Sequence, residues 1–375
     1  MEGNVKIKIP DNLTISKKDS VFYNPIMEVN RDISVSIIQA LLNKYRREEF
    51  LICEPLGGSG IRGLRYGKEL KNPSGNVKVI IGDINPNATK LAMENLKLNK
   101  LDNVSVVNKD ANVLLSENFR TFNLVDLDPF GSPNPYIDSA IRSLITKNGI
   151  LSITATDTAV LCGAYKKACI RNYNAIPLPG DKEMALRLLI GYVIRMGAKY
   201  DIGFDVVFSH FTDHYCRAYL ITKRGAKKSD ESMNMLGYVK KTPLEEVIIR
   251  SFLEGYDRTY SGPIYLGPIY NQEIIKEGIK IAKERNYSKR SIDIMEKILN
   301  ESRINQIGCY DIHNICSNIK ELVPPIKDLL TMLESSGNGF KVSRVHHNPN
   351  GIKTNGSVKD IIECIIKYNK NRIKN

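Results

Sequence analysis

The sequence predicts an α/β protein whose first part forms a Rossmann-like sheet, followed by a second, smaller mixed α/β domain. Over the first two hundred residues, short apolar runs alternate with amphipathic helical patterns, which is typical of a parallel sheet with helices on both faces. Glycines after the first apolar run match G-x-G-x-x-G. Near residue 225 the alternation stops, so we expect two domains, over 1–225 and 226–375. A chain of 375 residues, 42% of them hydrophobic, is long enough for both.

Apolar runs bounded by Gly, Pro, Asn or Asp predict the strands of the first domain. They are FLICEP (50–55), VKVIIGD (77–83), NVSVVN (103–108), FNLVDLD (122–128), GILSITA (149–155), IGFDVVFS (202–209) and YCRAYLITK (215–223). The last two are so close in sequence that we expect an antiparallel pair at the end of the sheet.

Two helices between these strands have clear signals. The stretch RDISVSIIQALLNKY places its Ile and Leu side chains on one helical face. In NPNATKLAMENLKLN, Asn85 is the expected N-cap and Pro86 the first helical residue, with Leu91 and Met93 facing inward.

The second domain begins with the polar stretch RGAKKSDESMN, which predicts a linker or exposed loop. GPIYLGPIY (262–270) contains a short strand signal. Helical patterns follow over 271–286, 288–301, 311–320 and 325–336, then a strand over 340–346 and a last helix over 357–368. Two short helices followed by a strand are compatible with a winged-helix-like module.

Composition restricts the classes of partner. The formal net charge of +13 favours a polyanion such as nucleic acid, although a basic balance also serves solubility alone. No apolar run is long enough to span a membrane, and the first residues lack the apolar stretch of a signal peptide, so we expect a cytoplasmic protein. The seven cysteines include no C-x-x-C pair, which argues against a zinc site. We expect no obligate protein partner.

The glycine motif predicts a nucleoside ligand. Gly58, Gly60 and Gly63 follow the first strand and open a helix, where backbone N–H groups are available to a ligand. Asp83, at the end of the second strand, is placed to bind the hydroxyls of a ribose. NAD and S-adenosylmethionine (SAM) both have such a ribose. A tight structural turn is the alternative.

Further strand ends favour SAM over NAD. Glu54 lies at the tip of the first strand, where it would bind the amino-acid end of SAM but repel a pyrophosphate. Asp110 follows the third strand, where it is expected to accept from the adenine amino group while Ala111 donates its backbone N–H. The ends of parallel strands line one crevice, so these groups converge.

The fourth strand ends in Asp128, Pro129 and Phe130. The Asp128 carboxylate and the Pro129 carbonyl are two acceptors for the N–H bonds of an exocyclic amine, and Phe130 would stack on its base. Such a pair would orient a weakly nucleophilic amine for attack on a sulfonium methyl, with Asp128 receiving the proton. The alternative is an Asp-Pro turn with a core phenylalanine. Asp157, after the fifth strand, is a candidate second carboxylate.

Longer strings extend this interpretation along the chain. They are VDLDPFGSP (125–133), FYNPIMEVNRD (22–32), GSGIRGLR (58–65), ITATDTAVLCG (153–163), DHYCRAY (213–219), GPIYLGPI (262–269) and HNPNGIKTN (347–355). Through them the chain resembles the tRNA (guanine-26-N2)-dimethyltransferase family, in particular its archaeal members. The matching segments run from residue 22 to about residue 355.

The resemblance implies a role for each matching residue. Arg31 and Arg62 correspond to SAM-contacting arginines, and Phe22 to an aromatic that helps hold the target base. Asp83, Asp110 and Ala111 correspond to SAM-binding positions, Asp128 to the catalytic residue and Phe130 to the stacking residue. For both arginines, an ion pair at a helix end is the alternative.

The resemblance also implies a substrate. In this family it is the guanosine between the D stem and anticodon stem of tRNA, methylated once or twice at N2, with S-adenosylhomocysteine released. The base must be flipped out of the helix, and the C-terminal domain, with basic stretches such as 279–290, would hold the rest of the tRNA. Some relatives have cysteine pairs before the string GPIYLGPI; this chain has none there, so we expect no metal.

Other functions stay open at this point. A SAM-dependent enzyme acting on adenine N6 or on a guanine of ribosomal RNA would share Asp128 and Phe130. An NAD-dependent oxidoreductase would share the glycines, and a non-catalytic RNA-binding protein would share only the basic surface. The residues alone do not assign His346 and His347, which would contact RNA or shape a loop.

Overall fold

The computed structural model describes residues 1–9, 21, 23–337 and 339–374, with side chains up to residue 372. Its strands are β1 (Glu49–Glu54), β2 (Asn76–Asp83), β3 (Val104–Asn108), β4 (Leu124–Leu127), β5 (Ile150–Ala155), β6 (Ile202–Thr212), β7 (Tyr215–Arg224), β8 (Leu236–Lys241), β9 (Val247–Ser251), β10 (Ser261–Tyr265), β11 (Tyr310–Asp311), β12 (Val342–Arg344) and β13 (Gly351–Thr354). Its α-helices are α1 (Glu28–Lys44), α2 (Ile61–Glu69), α3 (Pro86–Asn99), α4 (Ala111–Glu117), α5 (Asn134–Ser143), α6 (Thr158–Leu161), α7 (Lys166–Tyr173), α8 (Lys182–Ala198), α9 (Ala226–Met233), α10 (Gln272–Glu284), α11 (Lys289–Glu301), α12 (Ile312–Ile319), α13 (Ile326–Glu334) and α14 (Val358–Lys374).

A seven-stranded sheet forms the centre of the fold, in the order β3-β2-β1-β4-β5-β7-β6. Strands β1 to β5 pair in parallel, while β7 is antiparallel to β5 and to β6. This confirms the predicted Rossmann-like α/β fold and the antiparallel pair that completes it. The strand order reverses between β1 and β4, and in such sheets a ligand crevice opens at that point, outside the carboxyl ends of the strands.

Helix α1 is more deeply buried than its sequence pattern predicts. Its residues from Val29 to Leu42 are all buried, not only one apolar face. One side of the helix packs in the same core as the sheet, and α10 and α11 from the second half of the chain cover the other. The Asn43 amide, for example, donates to Glu277 of α10 at 3.0 Å.

Helix α3 begins as predicted, with the Asn85 side chain accepting from the Asn87 N–H. Leu91 is buried, but Met93 is 42% exposed, so its predicted inward orientation is wrong. Met93 lies two residues beyond Leu91, and two residues turn a helix by about 200°, onto its opposite face.

The polar stretch predicted as a linker or loop is instead helix α9. Its Ser229 and Ser232 are buried, and the Ser232 hydroxyl accepts from the Phe204 N–H of β6 at 2.9 Å. Small polar side chains therefore pack this helix onto the sheet, a contact that a hydrophobic pattern does not reveal. The long buried helix α8 and the strands β8 and β9, which join β10 in a small sheet, were also absent from the predicted elements.

The second half of the chain contributes to more than one hydrophobic core. Residues of β8, β10, α10 and α11 share cores with the seven-stranded sheet. Residues between Tyr310 and Ile365 form a separate cluster around the sheet β11-β13-β12. The boundary at residue 225 and the winged-helix-like module stay predictions. In the part of the chain that the structure describes, no helix combines the length and the apolar character needed to cross a membrane.

Candidate active site

A cavity of about 390 Å³ opens at the point where the strand order reverses, between the carboxyl ends of β1 and β4. This volume lies in the range typical of small-molecule sites. Most of the predicted site residues line it: Arg31, Glu54, Gly58, Arg62, Asp83, Asp128, Pro129 and Phe130. Predicted site residues as far apart in sequence as Arg31 and Phe130 thus converge on one crevice.

Glycines shape the turn from β1 into α2. Gly60 is the N-cap of α2 with φ at 77°, and a Cβ there would lie 2.9 Å from the Ala92 Cβ. A Cβ on Gly63 would lie 2.7 Å from Glu54 Oε2. Gly60 is outside the cavity lining, so its role is to permit the turn that brings the neighbouring backbone to the cavity.

Glu54 is a buried carboxylate at the cavity wall. It is 3% exposed, and its Oε2 accepts from the Gly63 N–H at 2.7 Å. Its Oε1 lies 3.7 Å from the Arg62 guanidinium. Burial raises the pKa of Glu54 to about 8, and nearby carboxylates add to this effect while Arg62 only partly offsets it. Glu54 therefore lacks full compensation by cations of the protein.

Asp128 forms an ion pair with Arg62, through Oδ2 and Nη2. The other terminal nitrogen of Arg62 donates to the Ser34 hydroxyl at 2.8 Å, which fixes the guanidinium. Burial acts to raise the pKa of Asp128, but the guanidinium groups of Arg62 and Arg217 hold it below the ordinary value. Asp128 is thus an ionised acceptor at the cavity.

A second ion pair lies behind these residues and was not predicted. Arg217 of β7 and Asp126 of β4 are both fully buried, with Nη2 and Oδ2 2.5 Å apart. Arg217 also donates to the Thr154 hydroxyl at 2.5 Å and to the Tyr219 hydroxyl at 2.8 Å. The Tyr66 hydroxyl donates to Asp126 at 2.5 Å. The available sequence signal was a charged residue among the buried apolar positions of each of two strands, Asp126 in β4 and Arg217 in β7.

We call Glu54, Asp126, Asp128, Arg62 and Arg217 the buried charge network. It contains three carboxylates and two guanidinium groups, so one negative charge remains when all are ionised. Because uncompensated charge is costly in a buried site, a cationic ligand would be favoured here and an anionic one disfavoured.

Asp83 lies at the cavity but is also part of the loop structure. Its Oδ2 accepts from the Gly58 N–H at 2.8 Å and its Oδ1 from the Asn85 N–H at 2.9 Å. The predicted pair Asp110 and Ala111 is not in the cavity lining. The Asp110 side chain caps α4, and Ala111 is buried as the first residue of that helix. Both follow β3, the neighbour of β2 in the sheet.

Arg31 is held at the cavity by the first residues of the chain. It is 5% exposed, and its guanidinium donates to both oxygens of Glu2 at 2.5 and 2.6 Å and to the Asn24 carbonyl at 3.0 Å. The ion-pair alternative is therefore realised, although Arg31 still lines the cavity. Phe22, predicted to hold the base, lies outside the described residues.

Phe130 stands at the mouth of the cavity, 49% exposed. The loop behind it is fixed by the Gly131 N–H, which donates to the Thr156 hydroxyl at 2.7 Å, and by the Thr156 N–H, which donates back to the Gly131 carbonyl at 2.9 Å. Asp157 is outside the cavity lining and accepts from the Tyr173 hydroxyl at 2.9 Å. The structure thus gives Asp157 a supporting position.

His346 connects the C-terminal region to the sheet. Its Nε2 accepts from the Phe211 N–H of β6 at 3.1 Å, so the proton is on Nδ1, which lies 2.8 Å from Glu301 of α11. His347 is buried beside it, and burial lowers its pKa to about 3, so it is neutral. Glu301, His346 and His347 are close enough to bind a metal ion, but both ring nitrogens of His346 already have hydrogen-bond partners.

Comparison with known proteins gives one consistent family. The family model described as N2,N2-dimethylguanosine tRNA methyltransferase matches residues 3–366. Over 373 residues the chain is 61% identical to a tRNA (guanine(26)-N(2))-dimethyltransferase of Methanococcus aeolicus, covering 99% of each chain. A protein of the same name from Methanocaldococcus jannaschii is 50% identical, again over 99% of each chain.

The fold is similar to that of a solved structure of Trm1 from Pyrococcus horikoshii in complex with S-adenosyl-L-methionine. The TM-score is 0.85 at 32% sequence identity, and the match covers 97% of this chain and 98% of the other.

Proposed function

This chain belongs to the N2,N2-dimethylguanosine tRNA methyltransferase family, and we propose which of its residues carry out the family's reaction. The chain is a SAM-dependent tRNA (guanine(26)-N(2))-dimethyltransferase, which transfers methyl groups to N2 of one guanosine. The observation that carries the assignment of residues is the ionised Asp128 at the wall of a cavity whose buried charges leave one carboxylate uncompensated.

The residues at the cavity fit SAM. When bound, SAM supplies an electrophilic methyl group on a sulfonium. With Glu54 ionised, the buried charge network has one excess negative charge, so a ligand with cationic groups would favour the ionised form of Glu54. The pyrophosphate of a dinucleotide would instead add to the negative charge. We assign Glu54 to the ammonium group and Asp83 to the ribose, with Arg31, Gly58 and Arg62 completing the site and Gly60 permitting the turn that holds Gly58 there. Asp110 and Ala111 are assigned to the adenine, because they follow the strand beside β2.

The acceptor amine is assigned to Asp128, Pro129 and Phe130. Arg62 holds Asp128 through Oδ2, which fixes the carboxylate and orients it. The carboxylate and the Pro129 carbonyl would accept the two N–H bonds of the guanine amine, while Phe130 at the cavity mouth stacks on the base. Phe22 is the second candidate for holding the base.

Asp128 is also proposed to receive the proton that the amine loses. Because its pKa lies below the ordinary value, it is unprotonated before transfer and can accept a proton as the nitrogen gains its methyl group. Most of the rate enhancement is expected from alignment of the amine with the methyl group. After the first methyl transfer the amine keeps one N–H. The Asp128 carboxylate would accept the hydrogen bond of this N–H, and then its proton, in the second methyl transfer.

The substrate is tRNA, and we propose that residues 226–375 contain most of its binding surface. The flipped guanosine must reach Asp128 in the crevice while the remaining tRNA contacts the protein surface. A net charge of +13 suits such a polyanionic partner.

The assignment of Asp128 is tested with labelled SAM and two tRNA transcripts, one of which has guanosine 26 replaced. The wild-type enzyme should label only the transcript that retains guanosine 26. Asp128→Ala should lower the rate by about 10²–10⁴-fold, the range for loss of a proton acceptor, with SAM affinity within a few-fold of wild type. Asp138→Ala is the matched control, since Asp138 is an exposed carboxylate paired with Lys199.

Two results would contradict these assignments. Equal labelling of both transcripts would overturn the target site and favour another RNA base. Loss of SAM binding in Asp128→Ala would show that Asp128 belongs to the methyl-donor site and not to the acceptor site.

A further inference from the structure

We propose that helix α7, together with Tyr165 directly before it, is a docking surface for the RNA backbone next to the target base. This inference rests on the proposed function, since it assigns the tRNA a contact beside the proposed site. We call Tyr165, Lys166, Lys167, Ile170 and Arg171 the α7 surface.

The carboxyl end of α7 contacts the segment that follows Phe130. The Ser132 hydroxyl donates to the Tyr173 hydroxyl at 2.7 Å, and the Asn134 amide donates to the Asn172 carbonyl at 2.5 Å. Cys169 and Tyr173 form the buried face of α7, so the other side of the helix faces solvent. A strand of RNA that inserts a base at Phe130 would therefore pass over or beside this helix.

The exposed side of α7 carries positive charge, while Asp157 contacts the helix from its buried side, through the Tyr173 hydroxyl. Residues 158–180 include Lys166, Lys167 and Arg171 but no Asp or Glu. None of these three cations forms an ion pair with an acidic side chain in the described part of the chain. Other exposed lysines do form such pairs, for example Lys199 with Asp138 and Lys228 with Glu231.

The position of the two lysines in the helix is unfavourable for the helix itself. Lys166 and Lys167 are the first two residues of α7, and the first turn contains no acidic residue. The amino-terminal end of a helix carries partial positive charge, so cations there are repelled and anions attracted. Helix α8, by contrast, has Asp181 at its N-cap and Glu183 in its first turn. Stability of α7 does not explain these lysines, whereas contact with phosphates does.

The α7 surface also has apolar groups. Tyr165 is 63% exposed, and Ile170 is 41% exposed although isoleucine is among the residues most often buried. Aromatic side chains interleaved with cations are typical of surfaces that bind single-stranded nucleic acid, because any base can stack on the ring. Charge complementarity and an exposed ring next to the two lysines together favour RNA over an acidic protein.

The test compares two triple variants, each of which removes two lysines and one arginine. The first is Lys166→Ala, Lys167→Ala and Arg171→Ala. The control is Lys147→Ala, Arg224→Ala and Lys227→Ala. These three exposed cations lie near the amino end of β5, whereas the cavity opens at the carboxyl ends of the parallel strands. Fluorescence anisotropy with a labelled tRNA transcript gives the Kd over a range of salt concentrations. SAM affinity by calorimetry reports whether each variant is folded.

Each phosphate contact contributes about 0.7–0.9 to the slope of log K against log salt, so loss of three contacts lowers the slope by about 2–3. We expect the α7 variant to lose about tenfold or more in tRNA affinity at low salt, with SAM affinity unchanged. The control should change tRNA affinity less than threefold. Tyr165→Ala should weaken tRNA binding without changing the salt slope, and Tyr165→Phe should bind as the wild type does.

Unchanged tRNA affinity in the α7 variant, or equal losses in both triple variants, would overturn the inference. In the second case the positive charge would act diffusely and not at α7. The binding arm does not depend on catalysis. If the wild type failed to methylate the transcript, the proposed function would fail; if it methylated normally and the α7 variant bound normally, only the docking surface would.

Discussion

Arg217→Met removes the cation of the buried ion pair between Arg217 and Asp126 and puts a long apolar side chain in its place. In the wild type, Arg217 is fully buried and donates to Asp126, Thr154 and Tyr219. The variant leaves the Asp126 carboxylate fully buried, with the Tyr66 hydroxyl as its near donor and the Arg62 guanidinium 3.9 Å away.

Removal of one partner from a buried ion pair typically costs about 3–5 kcal/mol, because the remaining charge is uncompensated. For a domain of this size that corresponds to a fall in Tm on the order of 10 °C. Arg217 also helps hold the pKa of Asp128 below its ordinary value. Without Arg217 that pKa rises, so the acidic limb of the pH–rate profile should move to higher pH.

Chemical denaturation gives the free energy of unfolding, and single-turnover methylation at a series of pH values gives the profile. The double variant Asp126→Leu, Arg217→Met removes both charges and should recover much of the lost stability, because no unpaired carboxylate remains. Two results would contradict this prediction. One is a free energy of unfolding for Arg217→Met within about 1 kcal/mol of the wild-type value. The other is a double variant that is less stable than Arg217→Met, since removal of the unpaired Asp126 carboxylate should stabilise the protein.

Three further predictions concern other groups. Glu54 has a pKa of about 8 in the free protein, so binding of a cation should release its proton. SAM affinity, measured by calorimetry, should therefore rise with pH up to about 8 and then level off. The same dependence of SAM affinity on pH in Glu54→Gln would contradict this. Gly63→Ala places a Cβ 2.5 Å from Ile81 and 2.7 Å from Glu54, so SAM should bind at least tenfold more weakly, whereas unchanged affinity would show that the loop adapts. His346→Ala leaves the Phe211 N–H without its acceptor and should lower the free energy of unfolding by about 1–3 kcal/mol while SAM affinity stays constant; a fall in SAM affinity would instead place His346 in the site.

The convergence of the site could be predicted because it follows from local patterns and one rule of sheet geometry. The parallel strands are recognised by their short apolar runs, and the residues directly after them meet because the carboxyl ends of parallel strands line one crevice. Glu54, Asp83 and Asp128 were therefore identified from position alone, and the cavity between β1 and β4 brings them together. Asp110 and Ala111 follow a strand by the same rule, yet Asp110 caps α4 and both residues lie outside the cavity lining.

The sequence by itself determined the seven strands of the central sheet in chain order, the glycine turn and the identity of the carboxylates at the strand ends, because these depend on neighbours in the chain. Only the tertiary structure decided what surrounds those groups. Asp126 and Arg217 are 91 positions apart, and their pairing follows from the packing of β4, β5 and β7. The burial of α1 depends on α10, and the partner of Arg31 is Glu2. Charge, pKa and burial depend on distances in space, and those distances are set when the elements pack against one another.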